Sequence, residues 1–107
     1  MSLSIEARDN RTGLAATGLR LSLQTRQGDV WADVVTGTVD STGYANAWPV
    51  TAAGGNRLVV NAEEYFAETG TEGLYTEASF AFRIADPADE LRILLLLTPA
   101  SLSVYRT

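Results

Sequence analysis

Hydrophobic and polar residues alternate along most of the chain. A period of two residues is that of a half-buried β-strand, and it is clearest in residues 3–8, 19–24 and 79–84. Residues 91–97 form an apolar run of strand length. In all, the pattern predicts eight strands, at residues 3–8, 19–24, 30–39, 44–50, 57–60, 79–84, 91–97 and 101–105. Pro49 places the fourth of these at a sheet edge or a strand end, because proline cannot donate to a ladder.

Only residues 62–69 have the signals of a helix. Asn61 is a candidate N-cap, Glu64 stands at the capping-box position, and Gly70 is suited to end the helix. Turn residues separate the strands at 9–13, 40–43 and 86–89, and residues 52–56 are predicted to form a loop. Short strands at regular intervals predict an all-β sandwich or barrel with one helix between the fifth and sixth strands.

Length and charge limit the possible functions. The 107 residues are enough for one domain, 1–107, and too few for two. The net charge is −5, and the eight cations are arginines scattered along the sequence, so nucleic acid is not expected as a partner. The longest aliphatic run, residues 93–97, is far shorter than the roughly 20 residues of a membrane helix. With no secretory signal visible at the start, we expect a cytoplasmic location.

The residues that several kinds of catalytic and metal site require are absent from the sequence. The chain has no histidine and no cysteine, which excludes a Ser-His-Asp triad, thiolate catalysis and thiolate metal sites. Asp86, Asp89 and Glu90 are oxygen ligands for a hard cation, but turn formation explains them as well. We therefore expect neither a metal nor a cofactor. Trp31 and Trp48 are candidates for a surface that stacks on a planar ligand, although core or rim packing is the more common role.

Several segments together resemble the transthyretin-like family, in particular its 5-hydroxyisourate hydrolase branch. The matching segments are Leu95-Leu96-Leu97-Thr98-Pro99, Tyr105-Arg106-Thr107, residues 3–5 with Asp9 and Gly13, residues 57–60, and residues 65–70. The resemblance implies a two-sheet transthyretin-like sandwich. It also implies a homotetramer, a dimer of dimers, with a small-molecule ligand in the channel between the dimers.

The resemblance fails at the residues that carry the family's hydrolase activity. Hydrolases of this branch have a histidine on the first strand, an arginine after the Asp-Gly turn, a His-Tyr-His stretch at the seventh strand and a final Tyr-Arg-Gly-Ser. The matching positions here hold Glu6, Tyr44 and Glu90-Leu91-Arg92, and only Tyr105 and Arg106 remain, followed by Thr107. The activity therefore does not carry over with the motif.

Three hypotheses follow. The first is a tetramer that binds a small polar heterocycle, with candidate ligand-binding residues Glu6, Tyr44, Glu90, Arg92, Tyr105 and Arg106. The second is a divergent cyclic-amide hydrolase in or near urate catabolism, with Glu6 or Glu90 as base and Arg92 or Arg106 stabilising the oxyanion. The third is a β-sandwich interaction domain without a small-molecule site.

Two structural expectations accompany these hypotheses. Glu6 and Arg92 are expected to form a salt bridge, since they replace two residues that converge in the family and carry opposite charges. The strand at 93–97, together with Leu102 and Val104, has more apolar surface than one sandwich buries, which predicts a subunit interface.

Overall fold

The computed structural model describes residues 2–49, 53–86, 88 and 90–107. These residues form nine strands and one helix in the order β1 (Ser2–Asp9), β2 (Leu14–Ala15), β3 (Arg20–Gln27), β4 (Val30–Thr38), β5 (Tyr44–Pro49), β6 (Gly54–Asn61), α1 (Ala62–Glu68), β7 (Ala78–Ile84), β8 (Leu91–Thr98) and β9 (Ser101–Arg106). The all-β prediction with a single short helix is confirmed.

The first sheet is built around β1. On one side β1 runs parallel to β8, which pairs with β9 in the antiparallel sense. On its other side β1 pairs with β5 through its first half and with β2 at its end. Since β5 pairs only with β1 among the described strands, it is an edge strand, as Pro49 predicts.

The second sheet has the antiparallel order β4-β3-β6-β7. Its strands β3 and β4 are joined by a tight hairpin in which Gly28 has a φ of +63°. A tight hairpin turn of this kind requires a left-handed backbone conformation. Glycine adopts it without strain because it has no Cβ to clash with the backbone. The sheet therefore has β4 and β7 as its edges.

The core lies between the two sheets. The inward residues of the central strands are fully buried, among them Leu3, Ile5, Leu21, Leu23, Leu58, Val60, Leu95 and Leu97. Trp48 is 5% exposed and belongs to this core, so it is not a stacking surface for a ligand. The alternation seen in the sequence thus sorts each strand into a buried and an outward face.

Helix α1 ends as predicted and begins differently. Gly70 adopts a φ of +73°, and its N–H bonds to the carbonyl of Ala67 in a Schellman-type ending. Asn61 occupies the N-cap position but makes no side-chain cap hydrogen bond. The predicted capping box is therefore wrong. The Glu63 N–H instead donates to the carbonyl of Thr76, 2.8 Å away, so the following loop satisfies a donor of the first turn.

Two strand assignments also differ from the sequence-based prediction. The pattern missed β2, which has only two residues, so α1 lies between the sixth and seventh strands and not between the fifth and sixth. Strand β6 begins at Gly54, inside the predicted loop, because β7 offers it a complete antiparallel partner. Val50, the predicted end of the fourth strand, lies outside the described residues.

Candidate functional site

Glu6 and Tyr44 meet on the outward face of the first sheet. They are register partners on β1 and β5, and the Tyr44 hydroxyl donates to Oε1 of Glu6 over 3.2 Å. Ile5 and Ala7 are buried on the opposite face, so alternation directs Glu6 away from the core. Both members of the pair are half-buried.

Arg8 completes this cluster, although it was not among the predicted site residues. Its Nε donates to Oε2 of Glu6 over 2.8 Å, and its guanidinium carbon lies 5.9 Å from the centre of the Tyr44 ring. The hydrogen bond to Glu6 raises the pKa of Arg8 above its ordinary value. The period-two pattern contained this signal, since residues 6 and 8 of a strand share a face. We call Glu6, Arg8 and Tyr44 the carboxylate cluster.

Gly43 makes room for the Arg8 side chain. A Cβ atom at position 43 would lie 2.9 Å from the guanidinium carbon of Arg8, and Gly43 has a φ of +96°. Its carbonyl also accepts a 2.8 Å bond from the Ala7 N–H, which anchors the turn before β5 to β1. The turn thus holds its backbone against the floor of the carboxylate cluster.

The predicted salt bridge between Glu6 and Arg92 is wrong. In the parallel pairing of β1 with β8, Arg92 stands opposite Ser4, and Glu6 stands opposite Leu94. Arg92 is exposed on the outward face, two residues along from the cluster, and none of the ion pairs in the described residues involves it. Glu6 uses the nearer Arg8 because that residue shares its strand and its face.

Tyr105 and Arg106, the two residues that match the family's ending, lie on opposite faces of β9. Tyr105 stands opposite Leu94 on the outward face and is 52% exposed. Arg106 stands opposite Ile93, a buried residue, so its Cβ is directed to the inner side at the sheet edge. Tyr105 therefore shares a face with the carboxylate cluster, whereas Arg106 does not.

The described acidic residues before β8, Asp86 and Glu90, do not join this cluster. Glu90 is exposed and comes directly before the first residue of β8. The Asp86 carboxylate accepts a 2.8 Å bond from the Ala88 N–H, as a turn residue does. Asp89 lies outside the described residues. Within the described part of the chain, no three acidic, histidine or cysteine side chains are grouped in a way that suits a metal ion.

An apolar strip lies beside the carboxylate cluster. Leu94 and Leu96 are half-buried on the outward face of β8, opposite Glu6 and Arg8 on β1. Leu102 and Val104 stand opposite the inward residues Leu97 and Leu95, so they do not add to the strip. The expected excess of outward apolar surface is thus confined to β8. We call Leu94 and Leu96 the leucine strip.

The site offers several kinds of contact to a ligand. Both carboxylate oxygens of Glu6 already accept hydrogen bonds, one from Arg8 and one from Tyr44. An ionised carboxylate has about four lone-pair positions, so Glu6 can accept further hydrogen bonds from a ligand. The guanidinium and the phenol present donors, the carboxylate presents acceptors, and the leucine strip presents an apolar surface.

Comparison with known proteins agrees with the fold. The sequence profile of the HIUase/Transthyretin family matches residues 3–107. A 5-hydroxyisourate hydrolase of Salmonella dublin is 29% identical over 107 residues, covering 97% of this chain and 79% of that protein. The structure of Klebsiella pneumoniae 5-hydroxyisourate hydrolase is 26% identical, with a TM-score of 0.85, and the match covers 99% of this chain and 92% of that one.

A transthyretin has the same fold. Sea bream transthyretin in complex with thyroxine gives a TM-score of 0.90 at 23% identity, covering 98% of this chain and 93% of that chain. At this identity the likeness concerns the fold alone. The match of the family profile extends from the first strand to the last residue. The chain therefore belongs to the HIUase/Transthyretin family.

Proposed function

We propose that this protein is a homotetramer, a dimer of dimers, that binds a small polar heterocycle at the outward face of its first sheet. The carboxylate cluster beside the leucine strip is the observation that carries the proposal. Charged and apolar groups lie side by side there, which is the usual composition of a small-molecule site. Membership of the HIUase/Transthyretin family supports a function of the hydrolase type or the transthyretin type.

The arrangement fits a ligand that has both donors and acceptors on a flat ring. Glu6 and Arg8 offset each other's charge through a 2.8 Å hydrogen bond, which leaves the floor of the site close to neutral. A ring that lies on Leu94 or Leu96 brings its polar edge to this pair. Tyr105 and Arg92 lie farther out on the same face and form the rim in the proposal.

Assembly supplies the remaining walls. One copy of the sheet presents an open surface, and a ligand needs most of its area covered to bind tightly. A second copy that packs against the leucine strip covers the apolar surface and closes the site between two copies of the carboxylate cluster. This arrangement makes binding depend on the oligomeric state.

Hydrolysis of a cyclic amide is the second candidate function. The similarity to proteins named 5-hydroxyisourate hydrolase favours it, and Glu6 or Glu90 is the candidate base. The oxyanion is then stabilised by Arg92 or Arg106. The absence of histidine, whose pKa lies near neutral pH, favours the binding proposal over this one. The hydrolase candidate acts in or near urate catabolism. Both candidates keep the prediction of one domain over residues 1–107 in the cytoplasm.

Two measurements test the proposal together. Light scattering at micromolar concentration should give the mass of four 11.5 kDa chains. An ultraviolet assay with freshly generated 5-hydroxyisourate should show turnover at least about 100-fold below that of a histidine-bearing relative. A monomer in solution contradicts the binding site between subunits, and full turnover that is lost in Glu6→Gln but kept in Glu63→Gln establishes the hydrolase instead. The third hypothesis, an interaction domain, is favoured if apolar side chains fill the site and the protein neither binds a heterocycle nor hydrolyses one.

A further inference from the structure

The outward face of the second sheet gathers three arginines that are far apart in sequence. Arg26, Arg57 and Arg83 lie on three adjacent strands, β3, β6 and β7. The register places Gly55 beside Arg83, and a Cβ on Gly55 would lie 3.5 Å from Cβ of Arg26. Gly55 therefore forms a floor without a side chain, with one arginine on each side. This grouping is absent from the linear sequence, where the cations are scattered.

These three cations have no acidic partner in the described residues. The three ion pairs there use Arg8, Arg11 and Arg20, and each of those guanidinium groups lies beside one carboxylate. By contrast, the guanidinium of Arg83 makes no hydrogen bond within the described structure. Arg26 uses only its Nε, which donates to the Gly28 carbonyl over 3.0 Å, so its two terminal nitrogens have no acceptor among the described residues. Cations gathered on one face of the sheet attract an anion, although the chain as a whole has a net charge of −5.

Trp31 forms the aromatic wall of the same groove. It is the register partner of Arg26 on β4, and its ring reaches to 4.0 Å from the position that a Cβ on Gly55 would occupy. The Arg57 guanidinium carbon lies 4.6 Å from the centre of the Trp31 ring. A cation over an indole ring is a favourable contact that also fixes the ring.

Hydrogen bonds hold this wall in place before any ligand arrives. Arg57 Nε donates to Oε1 of Gln24 over 2.8 Å, and Gln24 Nε2 donates to Oδ1 of Asp33 over 2.8 Å. The chain of contacts from Asp33 to Trp31 thus crosses three strands. Such preorganisation lowers the entropy that a ligand must lose on binding.

The groove has the size of a small-molecule site. Its volume is about 370 Å³, and Arg26, Trp31, Gly55, Ala81, Phe82 and Arg83 line it. Pockets of roughly 300–1,000 Å³ take small ligands. Arg26 and Arg83, one on each side of the glycine floor, match a single carboxylate. We call these residues, together with Arg57, the arginine groove.

We propose that the arginine groove binds a planar organic anion whose ring stacks on Trp31 and whose carboxylate accepts hydrogen bonds from Arg26 and Arg83. Guanidinium groups match a carboxylate because their paired N–H groups reach both oxygens. The site is on the sheet opposite to the carboxylate cluster, so it is separate from the function proposed above and does not depend on it.

Calorimetric titration with 2-naphthoate tests the site, and 2-naphthamide serves as the neutral analogue. We expect 2-naphthoate to bind with a Kd on the order of 1 mM, and 2-naphthamide at least about tenfold more weakly. Arg83→Gln removes one charge-assisted donor and should weaken 2-naphthoate binding about tenfold. Trp31→Leu should weaken it as well, because the flat surface is lost.

Arg20→Gln is the matched control. Arg20 lies on the same strand as Arg26, but its guanidinium is paired with Glu64, 3.3 Å away, so binding should not change. Circular dichroism melts establish that each variant is folded. Equal binding of acid and amide, or naphthoate binding that Arg83→Gln and Trp31→Leu leave intact, overturns the proposal. In that second case Glu6→Gln shows whether the naphthoate sits at the carboxylate cluster. A third overturning result is a Kd for inorganic phosphate as low as that for 2-naphthoate, which means that the ring contributes nothing.

Discussion

The hydroxyl of Tyr65 donates a 2.9 Å hydrogen bond to Oδ2 of Asp9, and this contact fastens the only helix among the described residues to the end of β1. Asp9 is 3% exposed, although it is a carboxylate. Arg11 supplies its counter-charge: Nη2 lies 2.8 Å from Oδ2 and Nε lies 3.1 Å from Oδ1. A buried carboxylate is stable only with such partners, so the turn after β1 and the helix depend on each other.

We expect Tyr65→Phe to destabilise the fold while leaving its shape intact. The change deletes one hydrogen bond to a charged acceptor and keeps the ring, which costs about 1–2 kcal/mol. In a chain of this size that lowers Tm by roughly 5–15 °C. Calorimetric or circular dichroism melts measure it. Tyr105→Phe is the control, because the Tyr105 side chain is 52% exposed and its hydroxyl has no hydrogen bond in the described structure. An equal effect of the two changes contradicts the role of the Asp9 contact.

Acid should weaken the fold through Asp9. Hydrogen bonds from Arg11 hold the pKa of Asp9 below its ordinary value of 3.8. A lowered folded pKa means that this contribution is complete above the unfolded pKa and is lost as the pH falls through the folded pKa. We therefore expect stability to decline below about pH 4. Asp9→Asn should lower Tm at pH 7 and make the acid decline shallower. The decline should not vanish, since Asp40, held by bonds from Thr42 and Tyr44, also has a lowered pKa.

High pH should also weaken the contact between Tyr65 and Asp9, through ionisation of the Tyr65 phenol. Burial, together with the bond to Asp9, raises the pKa of Tyr65 from 10.0 to about 12. The phenol's contribution is therefore fully present below pH 10 and is lost as the pH rises through about 12. Tyr65→Phe should flatten the fall in stability across this window. Tyr75, whose pKa burial also raises, should preserve part of the fall. Denaturant melts at fixed ionic strength from pH 9 to 12 measure both curves, and unchanged slopes in Tyr65→Phe contradict the assignment.

The sequence was sufficient for the strands because their local pattern matches their tertiary role. Each central strand buries every second residue, as at Leu3 and Ile5, and the period-two signal reports that directly. The missed strand β2 is two residues long, so no period can be seen in it. The capping box failed for a different reason. A loop carbonyl, that of Thr76, took the role that the local sequence assigned to a side chain.

The candidate site was harder to predict because it depends on register. Alternation places Glu6 and Arg92 on outward faces, but it does not say which residue of β8 stands beside Glu6. In the structure Leu94 stands beside Glu6, and Glu6 forms its ion pair with Arg8 on the same strand. The arginine groove depends on register still more, since Arg26, Arg57 and Arg83 come from three strands and have no common sequence signal.

The turn at Gly43 should be sensitive to a single added methyl group. Gly43→Ala forces a residue with a side chain to a φ of +96°, at a cost of at least about 1–2 kcal/mol. It also places a Cβ 2.9 Å from the guanidinium carbon of Arg8, so the end of the Arg8 side chain must shift. Gly13→Ala is the control: its φ is +75° and no atom lies within 4 Å of the added Cβ. Denaturant unfolding should show a larger loss for Gly43→Ala, and equal losses contradict the packing of Arg8 over this turn.

Glu6 and Arg8 should behave as one unit in a double-mutant cycle. Each is partly shielded from water, with side chains 33% and 29% exposed, and each is the other's ionic partner. Glu6→Gln leaves a cation without its acceptor charge, and Arg8→Gln leaves a carboxylate held only by Tyr44. The double variant removes both charges and keeps neutral hydrogen-bonding groups in place. We therefore expect its loss of unfolding free energy to be smaller than the sum of the two single losses.

Chemical denaturation of the four proteins at low and high salt measures the coupling, which should shrink as salt screens the pair. A parallel cycle on Glu6 and Arg92 should show weaker coupling, because the register separates those residues. If Glu6 couples more strongly to Arg92 than to Arg8, the Glu6–Arg8 ion pair is contradicted. The salt bridge between Glu6 and Arg92 is then the better description of the site.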